Sequence, residues 1–405
     1  MKKFIPGLMI GNAFEHYDFI LFGFLSHVIG PKFFPTTDPF YSFLLSLTVF
    51  SVGHIFRPLG SLIFGYIGDK YGRKIALSYA ILFTAFPSGI ISLLPTFEVV
   101  GYIAPLMLVV LRTLQGIGQG GEFPGVVVFS IEIAEKNKGT IGATVASSGI
   151  FGFVIGSLVC SFFSLESMPD WAWRVPFAIG FFLCFVGFFI RRKLLESREF
   201  IQKKSKDNPF ICIIQRETMR GLVTMFMAAL SNVSFYLMFF YVNTILSKIW
   251  SPTKAYIFNS TVLIFYIFCM IGAGWLADKF SPPRVLRIFS ILLFFCLIPI
   301  FYLVGTKNRE AVICAQILGA MLTAGIMGPQ HVYFSKIWDS TCRYSGVSVY
   351  FSLAVALFGS TAPVVTLYIE NKFHTNIYMS FYVQLLAILA FWGIHHAIKK
   401  KWINN

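Results

Sequence analysis

The sequence predicts an all-α polytopic membrane protein, with twelve transmembrane helices in two six-helix bundles. Three observations carry this. The 405 residues are 56% hydrophobic and only 13% charged, about half the charged fraction of an ordinary soluble domain, and mean hydropathy is +0.73. Apolar runs of about 20 residues, the length that crosses a bilayer, recur along the whole chain. A polar turn that begins at Gly65 has a degraded copy beginning at Gly274, 209 positions on. One loop pattern per half is most simply two related bundles.

The runs of the first half fall at 8–30, 41–67, 75–94, 101–125, 140–164 and 174–190. Those of the second fall at 221–246, 254–277, 285–304, 311–334, 345–369 and 376–397. The breaks are short and rich in Pro, Gly, Asp, Lys and Arg, which end helices or stay in water. The first run carries Asn12, Glu15, His16, Tyr17 and Asp18. At about 100° per residue Asn12, Glu15 and Asp18 share one arc, a polar stripe for the bundle interior. The second run carries His54 and Arg57, followed at once by Pro58, and the fourth carries Arg112 and Glu122. The runs of the second half hold neutral hydrogen-bonding groups instead. Asn232, Ser234, Tyr236, Tyr241 and Asn243 lie in the seventh, Asn259 and Tyr266 in the eighth, and Gln316, Gln330 and His331 in the tenth. The longest break, Arg191 to Arg220, has nine Lys/Arg against four Asp/Glu. It joins the halves, so the expected domains are 1–190 and 221–405, with 191–220 as a cytoplasmic linker.

The net charge of +15 is distributed as topology requires. With the N-terminus inside, 24 Lys/Arg fall in inside segments and seven in outside ones. The positive-inside rule then places both termini in the cytoplasm. No basic arm with interleaved aromatics exists, which argues against nucleic acid. The first run contains two acids and no small-residue cleavage site, so it reads as a retained span rather than a signal peptide. The seven cysteines lie mostly alone in apolar runs and read as small core residues, not as disulfides or metal ligands. No metal-binding or nucleophile motif appears, so neither an enzyme nor a cofactor is expected. The expected partners are a small-molecule substrate, protons and the lipid bilayer, with the chain a monomer.

The turn itself reads Gly65-Tyr-Ile-Gly-Asp69-Lys70-Tyr-Gly72-Arg73-Lys74, and its echo Gly274-Trp-Leu-Ala-Asp278-Lys279. Its glycines permit close approach of helices, and Asp69 suits the positive end of a neighbouring helix dipole. The pattern resembles the signature loop of the major facilitator superfamily of secondary transporters. Other segments resemble its metabolite:proton symporter family. They are Gly11-Asn12-Ala-Phe-Glu15-His16-Tyr17-Asp18-Phe19, Arg57-Pro58-Leu59-Gly60, Arg112-Thr-Leu-Gln115-Gly116 with Gly120-Gly121-Glu122, Trp173-Arg174-Val-Pro176-Phe177, Glu196-Ser-Arg-Glu-Phe200, Arg343-Tyr344-Ser345-Gly346 and Gly359-Ser360-Thr-Ala362-Pro363. His16 stands where that family usually has Trp. Lys336 and Trp338-Asp339 replace its Glu and Phe-Pro, and the second loop loses its downstream Gly-Arg. The chain ends at Lys399-Lys-Lys-Trp-Ile-Asn-Asn405, so the coiled-coil extension of osmosensing members is not expected.

The resemblance implies uptake of a small polar metabolite by alternating access, coupled to protons. A charge at bilayer depth costs about 2.5–3.5 kcal/mol on insertion scales, which makes such residues functional and paired. Glu15 and Asp18 are the candidates for proton coupling, tuned by Arg57 and Arg112. Asn12, Tyr17, Arg57, Arg112, Tyr236, Tyr241 and Asn243 are the candidates for substrate binding. Gly65, Asp69, Gly72, Arg73, Lys74, Glu122, Asp278 and Arg343 are the candidates for gating. The leading substrate is a zwitterionic osmolyte such as proline or betaine, since aromatic faces suit an ammonium group. The alternatives are a di- or tricarboxylate such as α-ketoglutarate or citrate, proton-driven export, or a non-transporting receptor on the same fold.

Overall fold

Pro58 shows how local chemistry shapes the second span. It has no N–H to donate, and the helix restarts around it after Phe56. This computed structural model describes residues 5–165, 167–196, 200–201, 211–213, 217–250, 252–373, 375 and 377–403. In the first half lie α1 (Ile5–Phe24, continued by Ser26–Phe33), α2 (Pro39–Ile55 and Arg57–Lys70), α3 (Arg73–Leu93), α4 (Ile103–Ile133), α5 (Lys138–Phe163) and α6 (Arg174–Arg192). In the second lie α7 (Thr218–Tyr236, a π-helical turn Leu237–Tyr241, then Val242–Ile249), α8 (Pro252–Phe280), α9 (Pro282–Gly305) and α10 (Arg309–Ile337). They are followed by α11 (Arg343–Ala354, a π-helical turn Val355–Gly359, then Ala362–Phe373) and α12 (Ile377–Lys399). Among the described residues there is no strand. Among the described residues nine helices are long and apolar enough to cross a membrane, by length and composition alone. The polar stripe of α1, the charges of α4 and the broken course of α11 keep those three below that mark.

Within the first bundle α1 packs between α5 and α6, and α4 against α2 and α3. In the second, α10 packs against α8 and α9, and α12 against α7 and α9. The bundles meet where α2 lies on α11 and α5 on α8. Large apolar side chains such as Phe182, Phe268 and Phe295 face outward, while acids and arginines are buried. Lipid rather than water must therefore cover the outer face.

Three expectations are corrected. The fourth span does not end near 125. Pro124 is carried inside the helix, and the apolar run Val126–Ile133 extends it, which brings Glu132 to the bundle end. Arg191 is not a loop cation, because it is fully buried at the end of α6. The cysteines are not all single, since Cys212 and Cys342 are bonded, with Cα atoms 6.5 Å apart. The chain brings the linker back against the start of α11, which spacing in the sequence does not reveal. Half of the expected linker, including the Ser197–Glu199 part of the Glu196–Phe200 motif, lies outside the described residues.

Candidate functional site

The turn after α2 locks one end of the bundle interface. Asp69 Oδ1 and Oδ2 accept hydrogen bonds from the backbone N–H groups of Tyr344 (3.2 Å) and Ser345 (2.8 Å), in the first turn of α11. There the carboxylate meets both free donors and the positive end of the helix dipole. Arg73 holds Asp69 from behind at 2.8 Å. It also donates to the Ser340 carbonyl of the other bundle (3.0 Å) and to Glu132 (3.3 Å). Arg343 reaches the same Glu132 oxygen from α11 at 3.0 Å. Two acids and two arginines thus close the seam as one hydrogen-bonded set, the arrangement in which buried charge is tolerated. Glycine is required twice. A Cβ on Gly65 would lie 2.8 Å from Ser345 Cα, and Gly72 turns with φ +127°. Beyond that turn the Lys74 N–H donates to Glu196 at 3.1 Å.

The degraded copy makes the equivalent contact. Asp278 Oδ1 accepts from Gly139 N–H (2.7 Å), and Oδ2 accepts from Thr140 N–H and O–H (2.8 and 2.7 Å), at the start of α5. Each half therefore plants an acid on a helix N-terminus of the other. The bundles are closed at this end, called the loop end below.

Above the seam, buried charges fill the first bundle. Asp18 Oδ2 accepts from Ser88 O–H (2.5 Å) and from the Gln115 amide (3.1 Å). Gln115 Oε1 in turn accepts from Arg112 at 2.8 Å. The Arg112 guanidinium is otherwise packed on the rings of Phe19, Phe22 and Phe50, 4.6, 4.8 and 5.4 Å from their centroids, a cation–π enclosure. Glu122 pairs with Arg191. Glu15 is fully buried, and among the described residues neither of its oxygens has a hydrogen-bond partner.

Between the bundles lies a cavity of about 60 Å³ of free space. The first bundle contributes His16, Phe19, His54, Arg57, Gln119 and Phe123, and the second contributes Asn232, Phe235, Tyr236, Phe240 and Phe351. The rings of His54 and Tyr236 face each other across the gap, edge to face at 6.3 Å. Among the described residues that line it, Arg57 is the only arginine and there is no carboxylate. Of the candidates for substrate binding, Arg57 and Tyr236 line this cavity. Asn12 faces α5, donating to Val145 O and Ser148 Oγ (3.0 and 2.9 Å). Tyr17 donates to Pro176 O at 3.1 Å. Tyr241 donates to Glu370 at 3.1 Å, and Asn243 is buried in the last segment of α7. Arg112 stands behind its aromatic wall.

Sequence reasoning missed Ser88, Arg191 and Glu132 as members of these networks. Ser88 is one neutral hydroxyl in an apolar run and carries no signal. Arg191 follows the apolar run of α6 directly, as a topology-setting cation does. Glu132 lies past the expected end of its span. Gln119 does carry a signal, since it lies one turn after Gln115 on the same face.

A protein of twelve membrane helices in two bundles, with a largely aromatic cavity carrying a few polar groups between them and matched interbundle contacts closing one end, is a membrane transporter. The Major Facilitator Superfamily profile matches residues 9–363, and the chain belongs to that superfamily. It is 28% identical to the proline/betaine transporter of Escherichia coli, covering 96% of this chain and 82% of that one. It is 31% identical to a putative proline/betaine transporter of Staphylococcus haemolyticus, covering 96% and 86%. Among solved structures it matches a double-tryptophan mutant of XylE with a TM-score of 0.81 at 15% identity, over 98% of this chain and 94% of the other. The proton:xylose symporter XylE bound to 6-bromo-6-deoxy-D-glucose gives 0.78 at 16%, over 99% and 95%. These relatives are transporters, and the chain is a transporter rather than an enzyme.

Proposed function

We propose that the protein is a proton-coupled symporter that imports a small zwitterion with one carboxylate, of the proline or betaine type. The observation that carries this is the cavity lining, which among the described residues has one guanidinium, at Arg57, aromatic rings opposite it and no acid. A carboxylate suits the Arg57 fork. A substituted ammonium suits the faces of Tyr236, Phe235 and Phe240. A dicarboxylate calls for a second cation, and Arg112 is spent behind Phe19, Phe22 and Phe50. The names of the relatives support the same class.

Transport runs by alternating access, the halves 1–190 and 221–405 rocking about the cavity while 191–220 joins them. Glu15 and Asp18 serve proton coupling. Asp69, Arg73, Arg343 and Asp278, with Gly65, Gly72 and Lys74 shaping the turn, latch the loop end, which faces the cytoplasm of a bacterial inner membrane and carries both termini. Glu122 acts through Arg191. The chain works as a monomer in lipid.

The test is competition in proteoliposomes for uptake of labelled proline, with and without an inward proton gradient. Excess glycine betaine is expected to inhibit strongly and α-ketoglutarate weakly, and the gradient to drive accumulation. Preferential uptake of α-ketoglutarate, with no effect of betaine, overturns the substrate class. Accumulation indifferent to the gradient overturns proton coupling.

A further inference from the structure

The cavity between the bundles holds hydrogen-bonding atoms that the fold itself leaves unused. His54 of α2 and Gln119 of α4 both line it, and they are only 3% and 1% exposed. Among the described residues neither ring nitrogen of His54 has a hydrogen-bond partner, and Gln119 Oε1 has none either. Two polar neighbours in the lining are settled by their own helices. His16 Nδ1–H donates to the Asn12 carbonyl at 2.9 Å, and the Asn232 amide donates to the Ala228 carbonyl at 2.8 Å. His54 is boxed by rings instead. Phe19, Phe50 and Tyr236 stand edge to face around it, at 4.9, 5.1 and 6.3 Å between centroids. A buried polar group left unpaired costs free energy, so one that opens on a cavity marks what an occupant must supply.

The chemistry of that occupant follows from the unpaired atoms. With no acid in the described lining to pair with an imidazolium, His54 is carried neutral, with one N–H and one lone pair. Its N–H needs an acceptor, and its lone pair needs a donor. Gln119 Oε1 needs a donor too. His54 precedes Arg57 by three residues across the break at Phe56, and both open on the cavity from α2. A carboxylate on the Arg57 fork therefore brings an acceptor close to His54. An ammonium one carbon from that carboxylate brings the donors, provided it carries N–H.

We propose that His54 and Gln119 are specificity-determining residues that read the N–H groups of the substrate ammonium, so that the site prefers an α-amino or α-imino acid to its fully N-methylated counterpart. The rings of Tyr236, Phe235 and Phe240 accept either cation, because cation–π attraction needs no hydrogen-bond donor. The His54 lone pair and Gln119 Oε1 do need one. Against a quaternary ammonium both stay unpaired under methyl groups, and a site built to hydrogen-bond an N–H discriminates against the analogue that lacks it. A betaine still enters on Arg57 and the rings, with lower affinity. This rests on the proposed zwitterionic substrate and narrows it to one whose ammonium bears N–H.

The experiment is equilibrium binding to the full chain purified in detergent. The probes are L-proline, N-methyl-L-proline and N,N-dimethyl-L-proline, which carry two, one and no N–H groups on the same ring. α-Ketoglutarate is the control without an ammonium. In the parent, affinity is expected to fall on the order of tenfold for each N–H removed. His54→Phe keeps an aromatic ring in the box and removes both unpaired nitrogens. Its ratio of dimethylproline Kd to proline Kd is expected to fall about tenfold or more below that of the parent. His54→Asn, which keeps a donor and an acceptor, is expected to retain more of the preference than His54→Phe. Gln119→Met is expected to lower the ratio several-fold. Rejection by size alone survives His54→Phe, because phenylalanine is no smaller than histidine. Equal binding across the parent series, or an undiminished ratio in folded His54→Phe or Gln119→Met, overturns the proposal and leaves the zwitterionic substrate standing. The parent series decides even where a variant does not fold. Binding of α-ketoglutarate and of none of the three prolines overturns both.

Discussion

Asp69 and Asp278 stand at matching places on opposite bundles. Each carboxylate accepts two backbone N–H groups in the first turn of a helix of the other half, Asp69 at α11 and Asp278 at α5. The second loop has lost its downstream Gly-Arg, yet it keeps the acid that reaches across. Its support differs. Asp69 has Arg73 and the Glu132–Arg343 pair behind it, while Asp278 adds the Thr140 hydroxyl.

Removing either acid should open the loop end. Loss of a helix cap costs about 0.5–2 kcal/mol, which shifts a two-state equilibrium from a few-fold to about thirtyfold. Asp69→Ala and Asp278→Ala should each lengthen spin-label distances between exposed positions 136 and 280. The two acids share no partner, so the double variant should approach the sum of the single effects. Unchanged distances in both single variants reject the latch.

Gly65 tests the same seam by packing. A side chain there meets the backbone of Ser345 rather than a flexible tip, and rigid interiors do not absorb such overlap. Gly65→Leu should hold α2 and α11 apart, keep the loop end open and abolish uptake while the protein still folds. Normal uptake by Gly65→Leu means that the helices do not close this tightly in the cycle.

The two loop turns were legible in the sequence because their parts are short-range. Glycine, acid and cation sit within ten residues, and the echo shows where the second copy lies. The twelve spans were legible for a related reason, since length and hydropathy are local properties. The cavity was not. Arg57 and Arg112 look alike in sequence, each a lone cation in an apolar run. Which one faces the gap depends on Phe19, Phe22 and Phe50 closing over Arg112. Arg191 was hidden by the rule that explains its neighbours. A cation at the end of a span usually sets topology, and burial by Glu122 depends on a helix distant in sequence.

That buried pair should also govern stability. Breaking a buried ion pair from one side strands the other charge, at about 3–5 kcal/mol, whereas removing both is far milder. Glu122→Gln and Arg191→Gln should each lower the unfolding temperature in detergent, and the double variant should recover much of the loss. A double variant less stable than either single one would show that Arg191 leans on a different partner.

The two arginines should separate in binding. Arg57 lines the cavity, and a charge-assisted hydrogen bond is worth about 1.5–3 kcal/mol, so Arg57→Gln should weaken affinity for proline or betaine by about 10- to 150-fold. Arg57→Lys keeps the charge but loses the planar fork, so it should fall between. Arg112→Gln removes a guanidinium already engaged with Gln115 and three phenyl rings. It should disturb folding more than affinity. Opposite Arg57, Tyr236→Phe keeps the aromatic face and should retain most of the affinity, whereas Tyr236→Ala should lose several-fold, consistent with a cation–π contact of about 0.5–2 kcal/mol. Binding isotherms on folded protein decide among these. If Arg112→Gln weakens binding as much as Arg57→Gln, substrate engages both cations, and a dicarboxylate becomes the better reading of the cavity. If Tyr236→Phe weakens it as much as Tyr236→Ala, the hydroxyl rather than the ring is what the substrate meets, and the ammonium end must be placed against Phe235 and Phe240 instead.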